Sequence, residues 1–502
     1  MNLTRLLRPY FTQHIKTAAR YATHTEELQR VELGRMLVAG RNTKWGERHN
    51  YLQIKSYEDF RQSVKVTPYE DIRGDVMRMI DGERDVLWPG LTRCFAQSSG
   101  TSDGKSKYIP ITAESFQRTH YRGGSAVISH YLNLYPDSRL FSGKSFILGG
   151  SFANELDLTK RKGVTVGDLS ANLIQHINPL ANMLRIPDKK TALISDWSEK
   201  LPALVKAASR ADVTNISGVP SWFLTVLREI LKATRAETLH EVWPNLEVFF
   251  HGGISFAPYR RQYDAIIDPK RMRYLETYNA SEGFFAVQDM PESRAMLMLL
   301  DAGTFYEFIP ANNPDADPIP AWEVEPGKIY ALIITGCNGL WRYPIGDTVK
   351  VESINPLRIT IAGRTKHYIN AFGEEVMVHN TDAALAKACD LTGANVLNYT
   401  AAPVYTSGNK RGRHEWLIEF ARQPENMTEF SAILDECMTK ENSDYEAKRA
   451  GNIFLDPLTV VVARNGLFDQ WLASTGKLGG QRKVPRLSND RTIMEAMLQF
   501  NR

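Results

Sequence analysis

Gln97 to Thr112 reads QSSGTSDGKSKYIPIT, and its residue types are compatible with three kinds of chemistry. Gly100, Ser102 and Gly104 have the G-x-S-x-G spacing of a serine hydrolase elbow, in which Ser102 would be the nucleophile. Gly104, Lys105 and Ser106 match the tail of a nucleotide-binding P-loop. The third possibility is a phosphate-binding loop of neither type. An elbow needs a strand, a sharp turn and then a helix. Here TRCFAQ reads as a strand, but KYIPIT alternates, carries a proline and reads as a second strand. The next helix is expected only after Thr112, at AESFQRTHYRGG, and the lysines after the loop suit an anion better than an acyl-enzyme. A P-loop fails as well, because Ser99 stands where its first glycine belongs, Gly100 is one residue too close to Gly104, and the helix is missing. A Ser/Thr/Gly loop between two strands remains, ending in Lys105 and Lys107. Glycines allow close approach, hydroxyls donate and ammonium groups neutralise, so such a loop can wrap a polyphosphate. A solvated hairpin turn would use the same residues.

Further stretches carry groups that a polyphosphate site could use. TYNASEG (Thr277–Gly283) follows the strand-like MRYLE and places Glu282 among small residues, where a carboxylate beside a phosphate loop is a natural magnesium ligand. RYPIGDTV (Arg342–Val349) is expected to hold Asp347 in a glycine turn between strands, where its carboxylate can accept both ribose hydroxyls. GRTKHYINAFGEEV (Gly363–Val376) contains Arg364, and GKLGGQRKVPRL (Gly476–Leu487) is a basic, glycine-rich loop. Taken singly, each also reads as a plain turn or a charged surface.

The elements that must position these groups follow from length and pattern. At 502 residues the chain exceeds one hydrophobic core and should form at least two domains. Its 43% hydrophobic and 24% charged composition is that of an ordinary soluble protein, and a net charge of +4 gives no ground for a nucleic-acid or membrane partner. Cys94, Cys337, Cys389 and Cys437 lie far apart without a C-x-x-C pair, and the histidines show no zinc spacing. No apolar run reaches membrane-spanning length. The first thirty residues lack acids before Glu26 but also lack serine and an apolar signal core, so an amphipathic helix and a cytoplasmic protein are expected. Residues 1–90 read as helical, with Leu28, Val31, Met36 and Leu37 on one buried face and Gly40 as a stop. From about residue 90 to 350, helix-like and strand-like segments alternate, which argues an α/β core. KSFILGGSF and NLEVFFHGGISF are buried strands ending in glycine pairs, and PSWFLTVLREILKAT is a helix. The character changes near Gly363–Lys366. The expected domains are therefore residues 1–363, a larger α/β part, and 364–502, a smaller α+β part.

In this order, the SSGTS-x-G-K loop, VKVTPYEDIRGDVMRMIDGE upstream of it, TYNASEGFFAVQD, GLWRYPIGDTV, NSDYEAKR and GGQRKVPRL resemble the auxin-responsive acyl-acid amido synthetases (the Gretchen Hagen family), particularly shorter bacterial members. That family is part of the adenylate-forming superfamily. The resemblance implies a large ATP-binding domain and a small mobile C-terminal lid. It implies ATP and Mg2+, a small carboxylic acid and an amino acid as substrates, and a monomer. Carried over by position, Ser98, Ser99, Thr101, Gly104 and Lys105 would form the phosphate loop, and Gly253 and Tyr278 would lie near the adenine. Glu282 would hold magnesium, Asp347 the ribose, Arg364 the ribose or phosphate, and Lys483 would be the lid lysine at the α-phosphate. Lys483, Lys105 and Glu282 would thus carry the chemistry. Arg122 could pair with the acid and Trp222 could line its pocket, although a solvated arginine and a core tryptophan fit those positions too. FGEEVMV departs from the pattern, since Glu374 and Glu375 stand where some members have a lysine. A ligase with another acceptor, such as coenzyme A, and a binding protein without turnover share most of these features.

Overall fold

The N-terminal region is helical, with helices Leu3–Ala18, Thr25–Gly40 and Tyr69–Ile80. The Thr25–Gly40 helix ends where expected but buries a different face. Val31 is 62% exposed, while Gln29, Glu32 and Leu33 turn inward with Leu28, Met36 and Leu37. The reason is polar. Gln29 Nε2 donates to the carbonyls of Leu300 (2.8 Å) and Thr304 (3.0 Å), and its Oε1 accepts the Tyr306 N–H (2.8 Å). One amide thus satisfies three strand-end backbone groups and rotates the helix away from the apolar-only solution.

This computed structural model describes the chain outside residues 1–2, 99–106, 153, 155, 157–162, 254–255, 365–367, 370, 373, 375, 405–411, 443–444, 447–448, 450–454, 476–482 and 489–490, and outside the side chains of Ser221, Pro258, Arg364 and Tyr368. The chain divides into two compact units. The first comprises Met1–Ile254, Ile266–Ile345 and Val349–Thr360; the second comprises Ser255–Ala265, Gly346–Thr348 and Ile361–Arg502. The class is α/β, with the larger unit first.

A three-stranded sheet is built from β1 (Cys94–Ser98), β2 (Lys107–Ile111) and β4 (Thr165–Gly167), in the order β2-β1-β4. A long sheet has parallel strands at one end: β3 (Lys144–Ile147), β5 (Arg185–Ile186), β6 (Val213–Gly218), β7 (Val248–Gly252) and β8 (Arg273–Ala280), ordered β5-β3-β6-β7-β8. Beyond β8 the sheet continues with β9 (Gly283–Gln288), β10 (Met296–Met298), β15 (Leu357–Arg364), β14 (Tyr343–Ile354), β13 (Ile329–Gly336), β11 (Thr304–Pro310) and β12 (Ile319–Pro320), in that spatial order. β6 and β7 are buried along most of their length, as runs such as VFF require when helices cover both faces. The Pro220–Thr234 helix crosses between them, with proline in its first turn.

In the second unit, β16 (Tyr368–Ile369) pairs with β17 (Val376–Met377). β18 (Asn395–Val404), β19 (Arg413–Arg422) and β20 (Thr459–Ala463) form a second sheet. Helices Val378–Thr392 and Met427–Glu441 cover it over a core of Tyr399, Trp416, Phe420 and Phe430.

Candidate functional site

The opening stretch is a hairpin. β1 and β2 pair antiparallel, with Ser98 opposite Lys107, and the helical turn that follows begins at Ala113, with Thr112 Oγ1 accepting the Ser115 N–H at 3.0 Å. A strand therefore stands where both the hydrolase elbow and the P-loop need a helix. Ser99, Thr101, Gly104 and Lys105 lie outside the described residues. Ser98 closes β1, and Lys107 opens β2 as a positioned cation. Its Nζ donates to Tyr343 Oη at 3.4 Å and lies 5.6 Å from the Tyr69 ring centre and 5.8 Å from that of Tyr343. Tyr69 Oη accepts the Tyr108 N–H at 2.8 Å, and burial raises its pKa to about 12, so it stays a neutral phenol.

The carboxyl ends of the parallel strands bring a second group together. β7 and β8 are paired so that Gly252 lies opposite Thr277, which sets Gly253 and Tyr278 at neighbouring strand ends. A Cβ on Gly252 would lie 2.5 Å from the Thr277 carbonyl oxygen, and Gly253 has φ +79°, so this glycine pair is demanded by close approach and by a left-handed turn. Tyr278 is buried, with its ring 5.0 Å from that of Phe285. Ser281 and Glu282 form the tip of the β8–β9 hairpin. Asn338 Nδ2 donates to the Glu282 carbonyl at 3.0 Å, Glu282 is 8% exposed, and the buried Ser281 Oγ has no hydrogen-bond partner among the described residues. A buried carboxylate and an unsatisfied hydroxyl on one turn are hard oxygen donors, the set that magnesium takes when phosphates supply the remainder.

Arg122 and Trp222 are placed differently. Arg122 opens the Arg122–Leu134 helix, and its Nη2 donates to Asp301 Oδ2 at 2.5 Å, while Tyr21 Oη donates to Asp301 Oδ1 at 2.5 Å. Burial raises the Asp301 pKa, but the Arg122 hydrogen bond and charge outweigh it and hold the group below its usual value. The Arg122 charge is therefore met within the protein. Trp222 is half-buried in the first turn of the helix that follows β6, at the carboxyl edge of the sheet.

Arg342, in the RYPIGDTV stretch, is a structural cation. It is 4% exposed with φ +46°, forks onto Glu307 (Nε at 3.1 and 3.0 Å, Nη2 at 2.8 Å), and its Nη1 donates to the carbonyls of Arg61 (3.1 Å) and Val64 (2.7 Å). It immediately precedes Tyr343, the partner of Lys107.

In the second unit, Asp347 is buried within a continuous strand, β14, rather than in a turn between strands. The glycine before it, at φ +87°, is accommodated without ending the strand. Arg364 ends β15, and its side chain lies outside the described residues. Lys483 begins a segment pinned to β18: the Ala401 N–H donates to the Arg486 carbonyl (2.8 Å), and Thr400 Oγ1 donates to that of Pro485 (2.7 Å). Glu374 is fully buried. Its Oε1 is 2.8 Å from His414 Nε2, and its Oε2 accepts the Phe372 N–H at 2.6 Å. Glu375 lies outside the described residues.

The GH3 family N-terminal domain model matches residues 14–272, the central domain model 297–364 and the C-terminal domain model 379–492. The chain belongs to the GH3 family. Among curated GH3 relatives, the indole-3-acetic acid-amido synthetase GH3.4 of Arabidopsis thaliana is 22% identical, covering 94% of this chain and 91% of its own. Among solved structures, the AtGH3.15 acyl acid amido synthetase in complex with 2,4-DB superposes with a TM-score of 0.78 at 18% identity, over 97% of this chain and 95% of that one. A 2-hydroxyisobutyryl-CoA ligase in the postadenylation state superposes at 0.55 with 13% identity, over 97% and 90%. The likeness to the acyl acid amido synthetase shows a shared fold over 97% of the chain. Among the described residues no helix is long and apolar enough to cross a membrane, and no group of three His, Cys, Asp or Glu side chains is placed to hold a metal.

Proposed function

We propose that this GH3 chain is an ATP-dependent ligase that adenylates a small carboxylic acid and passes the acyl group to an amino-acid amine. The observation that carries the reading is the ordered match of all three GH3 domain models between residues 14 and 492. The curated relative whose name is an indole-3-acetic acid-amido synthetase covers nearly the whole chain and supports it.

In the first step a carboxylate oxygen attacks the α-phosphorus of ATP, forming the acyl-adenylate and expelling pyrophosphate. Two anions must meet, so the barrier is largely electrostatic and falls when fixed cations face the charge that develops. Lys105 and Lys107 stand at the end of the loop expected to take the phosphates, to which Ser98, Ser99, Thr101 and Gly104 also belong. Lys483 serves as the α-phosphate cation, and Gly253 and Tyr278 hold the base. Asp347 accepts the ribose hydroxyls, and Arg364 binds ribose or phosphate. Glu282, with Ser281 beside it, would hold magnesium, whose charge offsets that of the phosphates when bound. In the second step the amine attacks the acyl carbon, the acyl–phosphate bond breaks, AMP leaves, and the amine gives up a proton. No protein nucleophile is needed, in keeping with the strand β2 standing where a hydrolase elbow needs a helix. Trp222 is the side chain retained for the acid pocket; Arg122 is set aside for it because Asp301 already takes its charge. Four free thiols suit a reducing, cytoplasmic setting, and the chain is taken to act as a monomer.

The acceptor is tested by supplying an active acid with ATP and either a panel of amino acids or coenzyme A. Amide mass with stoichiometric AMP supports the reading; thioester without amide replaces it with a coenzyme A ligase.

A further inference from the structure

At the carboxyl edge of the parallel strands, β3 runs out into the turn Leu148–Phe152, which is held from behind by groups that the reaction above does not use. Lys200, on the Trp197–Ala208 helix, is 3% exposed, and its Nζ donates to the carbonyl oxygens of Gly149 (2.6 Å) and Gly150 (3.2 Å). Asp168 Oδ2 accepts the Ser151 N–H at 2.7 Å, and the Asp168 N–H donates to the Ser151 carbonyl at 2.9 Å. The Gly150 N–H donates to Ser170 Oγ at 2.8 Å. Side chains are excluded as tightly as the polar groups are bound: a Cβ on Gly149 would lie 2.3 Å from Ile174 Cδ1, and one on Gly150 1.9 Å from Asp168 Oδ2.

A buried ammonium costs several kcal/mol in lost hydration unless its donors are used. Burial lowers the Lys200 pKa to about 8, with the Asp168 charge opposing the fall. An apolar side chain would stabilise the helix at less cost, but would leave two buried carbonyls without donors. The neighbours of this turn show why its shape matters. Ile147 pairs with Ser217, Gly218 with His251, and Gly252 with Thr277, so the turn continues the row of strand ends that holds Gly253 and Tyr278. Three strand spacings separate β3 from β8, roughly 14 Å. Ligands of open α/β sheets bind outside such strand ends.

We propose that Lys200 is a positioning residue for the acid: by holding the carbonyls of Gly149 and Gly150 it fixes the turn against which the carboxylic acid substrate rests. The proposal rests on the adenylating reading above. It is tested with Lys200→Met and Lys200→Arg, using acid-dependent ATP–pyrophosphate exchange over a panel of aryl and aliphatic acids, and calorimetric titration of the same acids without ATP. Lys200→Met should raise KM for the acid at least about fivefold, the low end of the cost of unsatisfied buried carbonyls. KM for ATP should stay within about twofold, and Lys200→Arg should restore most of the loss. Equal rises in both constants, or a lowered melting temperature with unchanged acid KM, would overturn it. If Lys200→Met does not yield folded protein, Ser170→Ala reads the same turn: a selective rise in acid KM supports the proposal, and an unchanged acid KM overturns it. Exchange in the wild type with no selective effect in the variants sinks the Lys200 assignment and leaves the ligase reading standing. Acid binding without exchange in the wild type sinks the ligase reading, and Lys200 is then judged by the ratio of Kd values. Neither binding nor exchange overturns both.

Discussion

Replacing Glu307 by leucine removes the counter-charge from the Arg342 guanidinium, which is 4% exposed. Arg342 Nη1 would keep the carbonyls of Arg61 and Val64, but Nε and Nη2 would lose their bonds to the Glu307 carboxylate. Tyr57 Oη would lose Glu307 Oε1 at 2.9 Å and keep the Pro318 carbonyl at 3.2 Å. The dominant cost is therefore the stranded charge, on the order of 3–5 kcal/mol for breaking a buried pair from one side. Urea unfolding followed by tryptophan fluorescence measures it, because Trp322 and Phe305 pack around Tyr57 next to the pair. The double variant Glu307→Leu, Arg342→Met removes both charges and should be less destabilised than the sum of the single changes by at least about 2 kcal/mol. Function should follow stability here: Arg342 precedes Tyr343, so freeing it loosens the cradle of Lys107 and lowers exchange activity in the fraction that remains folded. A single-variant loss under about 1 kcal/mol, or strict additivity in the double variant, would refute the assignment of this pair as a buried, mutually dependent lock.

Lys483→Ala should slow adenylation by about 3 kcal/mol, the scale of one lost transition-state donor, and unchanged pyrophosphate exchange would remove Lys483 from the reaction. Gly123→Ala should destabilise by about 1–3 kcal/mol and depress exchange further, because the new Cβ would lie 2.2 Å from Phe284 Cγ on the strand that follows Glu282; thermal denaturation and turnover at a permissive temperature separate the two effects. Burial lowers the pKa values of His120 and His130 from 6.5 to about 4, so both are neutral when folded at pH 7. As pH falls from 6.5 towards 4 the unfolded chain gains protons that the folded chain does not. Stability should drop on the order of 1.4 kcal/mol per pH unit for each histidine, and His130→Phe should shallow that slope in denaturant melts.

The strands and helices were legible because periodicity and turn chemistry are local. KYIPIT alternates and bears proline, which marks a strand where a nucleophile at Ser102 would need a helix. The face of the Thr25–Gly40 helix was misjudged at Val31 because Gln29 is buried by bonds to residues some 270 positions away, which no hydrophobic pattern encodes. Asp347 was expected in a turn because glycine usually marks one, whereas Gly346 is absorbed as an irregularity inside β14. Glu374 looked like a departure at a phosphate contact. Its carboxylate is instead buried on His414: burial raises its pKa, but the histidine bond outweighs this and lowers it. The sequence offers Lys107 as a phosphate-neutralising charge at the end of a loop, but its clasp by Tyr69 and Tyr343 needs two rings from distant segments. Lys200 gave no signal at all, since a lysine in an amphipathic helix reads as solvated surface until the carbonyls it meets are known.

Acid-dependent exchange of labelled pyrophosphate into ATP by the wild-type chain, with no amine present, measures the central step alone. The account predicts exchange that requires one or more acids of an aryl, indole and aliphatic panel and that stops when magnesium is chelated. ATP turnover indifferent to every acid, or no exchange with any of them in folded protein, would contradict it.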